Sequence, residues 1–306
     1  KNKSSTVVKA TSDGASESQS STIQADSVSL EATDTSTINA NTEAASLATS
    51  FGAAGASVSV GSATAENEIA NTIEAAIKGN TSLTTDGDVT LKAQDDVTIK
   101  ARSEGISAAL AVGISGAAAV GTSSTTNKNN SSVSATIGEA DGASDISIDA
   151  NSVDVQATGT ATLEAVDIAS ALAGSVIAVS VGGGFATNES SQKITALIGE
   201  GSDVTTASGV DVRATDTTET TVSVGTDAGA AGLVGGSVGI SQAENTVSNT
   251  VQAAIEGATV NAGTGDVSVE AIATVSGSAE AQTTSVAAAI GSAVGGAAAV
   301  NNINNV

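Results

Sequence analysis

The chain repeats itself, and the period of the repeat restricts what it can fold into more than any other feature. The tag Val-x-Leu/Val-x-Ala occurs as VSLEA from Val28, VTLKA from Val89, VDVQA from Val153, VDVRA from Val210 and VSVEA from Val267. The steps are 61, 64, 57 and 57 residues, the size of a supersecondary unit and far from a heptad or a collagen triplet. A second tag keeps pace, as IEAAIKG ending at Gly79, SATIG at Gly138, TALIG at Gly199 and QAAIEG at Gly257. A third is an Asn closing each Gly/Ala-rich run: Asn67, Asn127, Asn188, Asn245 and Asn301. The tags divide one continuous array into repeats at about 28–88, 89–152, 153–209, 210–266 and a partial 267–306. The array reads as a window on a longer chain.

One repeat shows the expected local structure. VTLKA (89–93) and DVTIKA (96–101) alternate apolar and polar residues, as half-buried strands do. ISAALAVGISGAAAVG (106–121) is apolar almost throughout, which suits a strand covered on both faces. TNKNNSS is a polar turn, and SVSATIG and DISIDA are further alternating strands. Ala favours helix, but here it is mixed with Gly, Val and Ile in stretches such as VSVG and VGISQ, which read as β. Short strands, polar turns and a fixed period predict an all-β chain, a β-solenoid or parallel β-helix whose coils stack about 4.8 Å apart. A repeat of this length is expected to make two wide coils or three narrow ones. The recurrent Asn is expected to stack into an amide ladder or to cap a turn.

Composition narrows the function. There are 10 Lys+Arg against 33 Asp+Glu, a net charge of −23, so the clustered cations needed for phosphate contacts are missing and nucleic acid is not an expected partner. An anionic membrane surface would repel the chain, and the Gly/Ala runs are too short and too polar to span a bilayer. His, Cys, Pro, Met, Trp and Tyr are all absent. Nucleophile–base pairs and transition-metal sites usually draw on His or Cys, and carbohydrate-acting enzymes usually add aromatic platforms, so an enzyme is not expected. A hydrophobic fraction of 40% and a mean hydropathy of +0.17 argue against disorder.

The order AVGTSSTTNKNNSSVSATIG (119–138), repeated as VGISQAENTVSNTVQAAIEG (238–257) and followed by GDVSVEA (265–271), resembles the repeat regions of giant bacterial surface adhesins of the filamentous-haemagglutinin and autotransporter kind. The resemblance covers nearly the whole chain. It implies an exported β-helical stalk or filament at the cell surface.

Candidate chemistry is sparse. Asp86, Asp88, Asp95 and Asp96 form the densest acidic cluster, and a Ca²⁺ site built from them is the one cofactor considered. Their spacing fits neither an EF-hand nor a Gly-Gly-x-Gly-x-Asp repeat, and solvated turn acids are the preferred reading. Asp211 and Asp266 read as ordinary turn residues. The glycines of VGGGF (181–185) and LVGGSVG (233–239) lack the Lys-Ser/Thr of a P-loop and read as close-packing sites. TDTTETT (215–221) reads as a solvent-facing strand without a Thr rank repeated in register. The expected function is a structural extracellular rod that self-associates or continues into further repeats of the same chain. The alternative is an adhesin face binding glycan, protein or ice.

Overall fold

The computed structural model describes residues 1–14, 20–139 and 145–306. It is an all-β solenoid of parallel strands. The described strands are β1 (Asn2–Ser4), β2 (Val7–Asp13), β3 (Ser21–Ala25), β4 (Val28–Ile69), β5 (Thr72–Lys78), β6 (Thr81–Thr85), β7 (Asp88–Asn129) and β8 (Ser132–Ile137). They continue as β9 (Ile146–Gly174), β10 (Ile177–Ser190), β11 (Lys193–Ile198), β12 (Ser202–Val247), β13 (Thr250–Ile255), β14 (Thr259–Asn261) and β15 (Asp266–Ile303).

Each repeat is one coil. Val28 pairs with Val89, Val89 with Val153, Val153 with Val210 and Val210 with Val267, all in parallel ladders. The pairing step is therefore the repeat step itself, which corrects the expectation of two or three coils per repeat. Identical tags lie directly above one another, so every coil satisfies the backbone of the next.

The cross-section of a coil has two parts. The base is closed by three walls: the start of a long strand, a short strand of the β2–β5–β8–β11–β13 sheet, and a segment of the β3–β6 type. Its core is filled by large aliphatic residues such as Ile73, Ile77, Leu83, Leu91, Val133 and Ile148. The corner after each short strand is where the second sequence tag ends. Gly79, Gly138 and Gly257 take φ of +66°, +80° and +64° there, a conformation that costs Gly little and residues with a Cβ considerably more.

From the base projects a thin arm. The Gly/Ala run expected to be a single strand covered on both faces instead turns back on itself. In the second repeat it folds at Gly113, whose φ is +117°, leaving two legs face to face. Only the inner surfaces are buried, by a core of Ala109, Ala111, Ala117, Ala119, Ala171 and Ala173. The outer surfaces face solvent, with Leu110, Val112 and Ile114 all exposed. A run apolar at every position can be buried on one face only when its other face has no neighbouring sheet, and periodicity does not report neighbours.

The width of the arm is set by one Val-Gly pair per repeat: Val60-Gly61, Val120-Gly121, Val181-Gly182, Val238-Gly239 and Val294-Gly295. These pairs stack in register. The Val points outward and the Gly inward. A Cβ on Gly61 would lie 2.1 Å from the Ile106 carbonyl oxygen, and one on Gly121 would lie 2.1 Å from that of Ser170. The two legs thus meet backbone to backbone, with no room for a methyl group. Gly121→Ala is expected to destabilise the chain by about 2–3 kcal/mol through overpacking. Gly225→Ala, with nothing within 4 Å of the added Cβ, should stay within about 0.5 kcal/mol of the parent. Chemical denaturation of both variants checks the contrast.

Candidate functional site

The polar groups buried along the axis form the most organised side-chain constellation in the molecule. At the neck, where the base narrows to the arm, Asn67, Asn127, Asn188, Asn245 and Asn301 form one column. Each Nδ2 donates to the Oδ1 of the Asn on the next coil, at 3.0, 3.0, 3.1 and 2.8 Å. Asn2 adds a further rung, donating to Asn67 at 2.9 Å. The amides also cross the neck: Asn127 donates to the Glu164 carbonyl at 2.8 Å, Asn188 to Thr221 at 2.9 Å and Asn245 to Ser278 at 2.8 Å. Asn carries both donor and acceptor in one short planar group, so a single residue per coil can bond up, down and across. The ladder ties the two legs together at the point where the aliphatic core ends.

A second column lies four residues on, at Asn71, Ser131, Gln192, Asn249 and Asn305. Its side chains cap the turn of the preceding coil. Asn71 Oδ1 accepts from the Thr6 N–H at 3.1 Å, Ser131 Oγ from Asn71 at 3.3 Å, Asn249 Oδ1 from Gln192 at 2.9 Å and Asn305 Oδ1 from Asn249 at 3.3 Å. Its amides also hold buried carboxylates. Asn249 Nδ2 donates to Asp216 at 2.8 Å, and Asn71 Nδ2 donates to Asp34 at 2.8 Å and Asp95 at 3.1 Å. Asp95, Gly159 and Asp216 share one register column. Where Gln192 replaces the shorter side chain, Gly159 replaces the Asp, and a Cβ there would sit 3.0 Å from Gln192 Oε1. The exchange conserves volume within the chain. Sequence reading missed this column, although the spacing Asn-x-x-x-Asn at 67/71, 245/249 and 301/305 carries it.

Three aspartates, Asp95, Asp167 and Asp216, are fully buried. Burial raises the pKa of all three. Asp167 is pushed up to about 6 by desolvation, against hydrogen bonds from Ser123, Thr125 and the Phe185 backbone. It occupies space that Gly184 leaves open, 2.9 Å from where a Cβ on that glycine would lie.

The Ca²⁺ candidates do not converge. Asp86 and Asp88 are exposed at a corner, and Asp88 accepts from Asn151 at 2.8 Å and Ser152 at 2.7 Å, which lowers its pKa. Asp95 points into the core and Asp96 away from it, because neighbours in a strand face opposite sides. An open hollow of about 380 Å³ gathers Asp154, Asp211 and Asp266. Asp266 opens β15, but Asp211 lies inside β12 and not in a turn. Among the described residues, no three acidic groups are placed to hold a metal ion. The glycines of VGGGF are close-packing sites: Cβ atoms on Gly182 and Gly184 would lie 2.8 Å and 2.7 Å from Thr226 and Val224 side chains.

Single threonines recur in register, but a complete Thr-x-Thr rank is present on two coils only, at Thr35/Thr37 and Thr160/Thr162. Thr35, Asp96, Thr160, Thr217 and Thr274 form one outward column, and Thr37, Thr98, Thr162, Glu219 and Ser276 another. Each column lies at a fixed offset from the Val tag, seven and nine residues on, so aligning the repeats on that tag brings the register out. Alternate residues of TDTTETT point inward: Asp216, Thr218 and Thr220 are buried.

Comparison with known proteins returns no match to a family model, a curated protein or a solved structure.

Two predictions follow the polar spine. Asn188→Ala removes a rung and leaves neighbouring groups unpaired, which is expected to cost about 2–4 kcal/mol on denaturant unfolding. For Asp167, the folded pKa lies above the ordinary carboxylate value of 3.8. Between about pH 4 and 6 the folded chain holds a proton that the unfolded chain has released, so stability falls as pH rises through that window. Asp167→Asn should therefore stabilise the chain at pH 7.5, on the order of 2 kcal/mol, and change little at pH 4. Unfolding curves at the two pH values check the sign.

Proposed function

We propose that the chain is a structural segment of a bacterial cell-surface protein, a rigid β-solenoid rod that carries mechanical load. The observation that carries this reading is the coil-on-coil register from β4 to β15, which shifts only at the tip of the arm and at the corner between Thr206 and Gly209 and is recovered after each. Its side-chain organisation is spent on the axis, in amide ladders and caps that join each coil to the next. The resemblance of the repeat to giant adhesin repeats supports an exported setting. Ion pairs between coils, such as Lys92–Glu31, Lys100–Glu164 and Arg213–Glu270, add about 0–1 kcal/mol each and follow the same direction.

One coil per repeat has a mechanical consequence. Each 57–64 residues lengthen the rod by only about 4.8 Å. Such a chain trades reach for width, and a wide cross-section resists bending far better than a single helix. A thick filament or matrix element fits this economy better than a long thin spacer. Coil ends with unpaired backbone edges accept further repeats of the same kind.

A second reading, a binding face, is favoured by the aligned outward threonines. Asp96, Glu219 and Ser276 interrupt those two columns. Electron microscopy of the native material tests the primary reading: side views should show uniform rods with an axial spacing near 4.8 Å. Compact particles without it, or saturable glycan or ice binding by isolated short rods, would reject the structural role.

A further inference from the structure

The arm presents a face that carries no charge anywhere along the array. Segments 44–65, 105–127, 168–188, 228–243 and 281–306 contain no Lys, Arg, Asp or Glu, in a chain whose net charge is −23. The remaining charge lies on the base and at the neck, apart from Asp227, which is exposed on the outer face of the first leg. The second leg of the arm is also apolar outward. Its central column is Val in every coil: Val60, Val120, Val181, Val238 and Val294. On the inner coils, where both neighbours are present, Ile177, Val179, Val234 and Ile240 are still 56, 48, 52 and 47% exposed. The outer face of the first leg is less uniform, since Ala108 and Gly229 interrupt the Leu47–Leu172–Val286 column.

We propose that this valine face is where a second copy of the chain packs, sheet against sheet, to form a laterally paired rod. Three observations select a second copy over other occupants. First, charge: two bodies of −23 repel, and the arm is the surface through which they can meet without burying like charges. Second, area: about ten residues of strand by five coils span about 33 by 24 Å, roughly 800 Å², which matches the roughly 800 Å² per partner of a stable interface. Third, self-complementarity: stacking one Val per coil makes a straight ridge, and a two-fold axis sets that ridge against its own copy in an isologous contact. Aligned sheets pack this way at about 10 Å. A single aromatic, Phe185, lies on this face toward the neck, in register with Ser124 and Gln242, which is less than the stacked aromatic platform a glycan would need. The pairing does not rest on the chain being a stalk or filament, and it runs at right angles to stacking through the coil ends.

Sedimentation velocity of the 306-residue chain between about 1 and 100 μM tests the proposal, alongside V179E/V238E on the face and T98E/T217E on the charged wall of the base. The expected result is a species of twice the 29.0 kDa chain mass that does not grow further. V179E/V238E should weaken it at least about 30-fold, while T98E/T217E, with the same added charge, should not. Equal melting temperatures of the two variants would show that neither acts by unfolding. A monomer at every concentration would overturn the proposal. Association that V179E/V238E leaves intact would overturn it too, and would place the contact at the coil ends. If the monomeric chain instead floats with neutral phosphatidylcholine vesicles and V179E/V238E does not, the face belongs to lipid and the paired rod is rejected.

Discussion

Everything in this molecule depends on parallel pairing of each coil with the next at a step of one repeat. Because the step equals the repeat, like residues stack on like, and each choice of side chain is made once and repeated along the axis. A column of Val stays a Val ridge, a column of Gly stays a gap, and a column of Asn becomes a chain of amide hydrogen bonds. A substitution in one coil is felt by two neighbours. The same stacking makes each coil dependent on the ones beside it, as in other solenoids, where isolated repeats do not bury enough surface to fold.

The coil changes character along its cross-section, and the amino acids follow. In the base three walls enclose enough volume for Ile, Leu and Val. In the arm two legs meet at close range, mostly with Gly, Ala and Ser between them, and the larger Thr226 seats against Gly182. The neck joins these regimes, and there the chain places its Asn ladder. A purely aliphatic neck would have to taper from Leu to nothing over a few residues. The amide instead spans the gap by hydrogen bonding to the opposite leg, which requires a defined distance and so holds it. Asp95, Asp167 and Asp216 lie buried near this transition without a cation beside them. Hydrogen bonds from Ser, Thr and Asn side chains offset only part of their desolvation.

Much of this was legible before any coordinates. The period, the β character and the recurrence of one Asn per repeat are visible because stacking forces similar residues onto similar positions. The Gly that ends each second tag was also visible, and its positive φ explains why three of the four corners need it. Other features were hidden for particular reasons. The fold-back of the arm was missed because a run apolar at every position looks the same whether it is sandwiched between sheets or doubled on itself. The Thr columns were within reach, since they lie seven and nine residues past each Val tag; they are inconspicuous because Asp96, Glu219 and Ser276 stand in place of Thr. The second polar column was missed because Ser131 and Gln192 stand where other repeats have Asn, and only the spatial match of Gln192 with Gly159 shows that they are equivalent. The preferred reading of the acidic cluster as solvated turn acids fails for Asp95, which is buried within β7 while Asp96 faces outward: neighbours on a strand point to opposite faces, so closeness in sequence was not closeness in space.

By itself the sequence determined that the chain is a repetitive, acidic, all-β solenoid, since period, alternation and composition are local properties that survive translation from one repeat to the next. The tertiary structure alone decided how many coils a repeat makes, where the coil turns back, which faces of the apolar runs meet solvent, and which carboxylates are buried. Those are properties of distance between segments 13 to 65 residues apart, and no local pattern of side chains encodes a distance that only the closed coil defines.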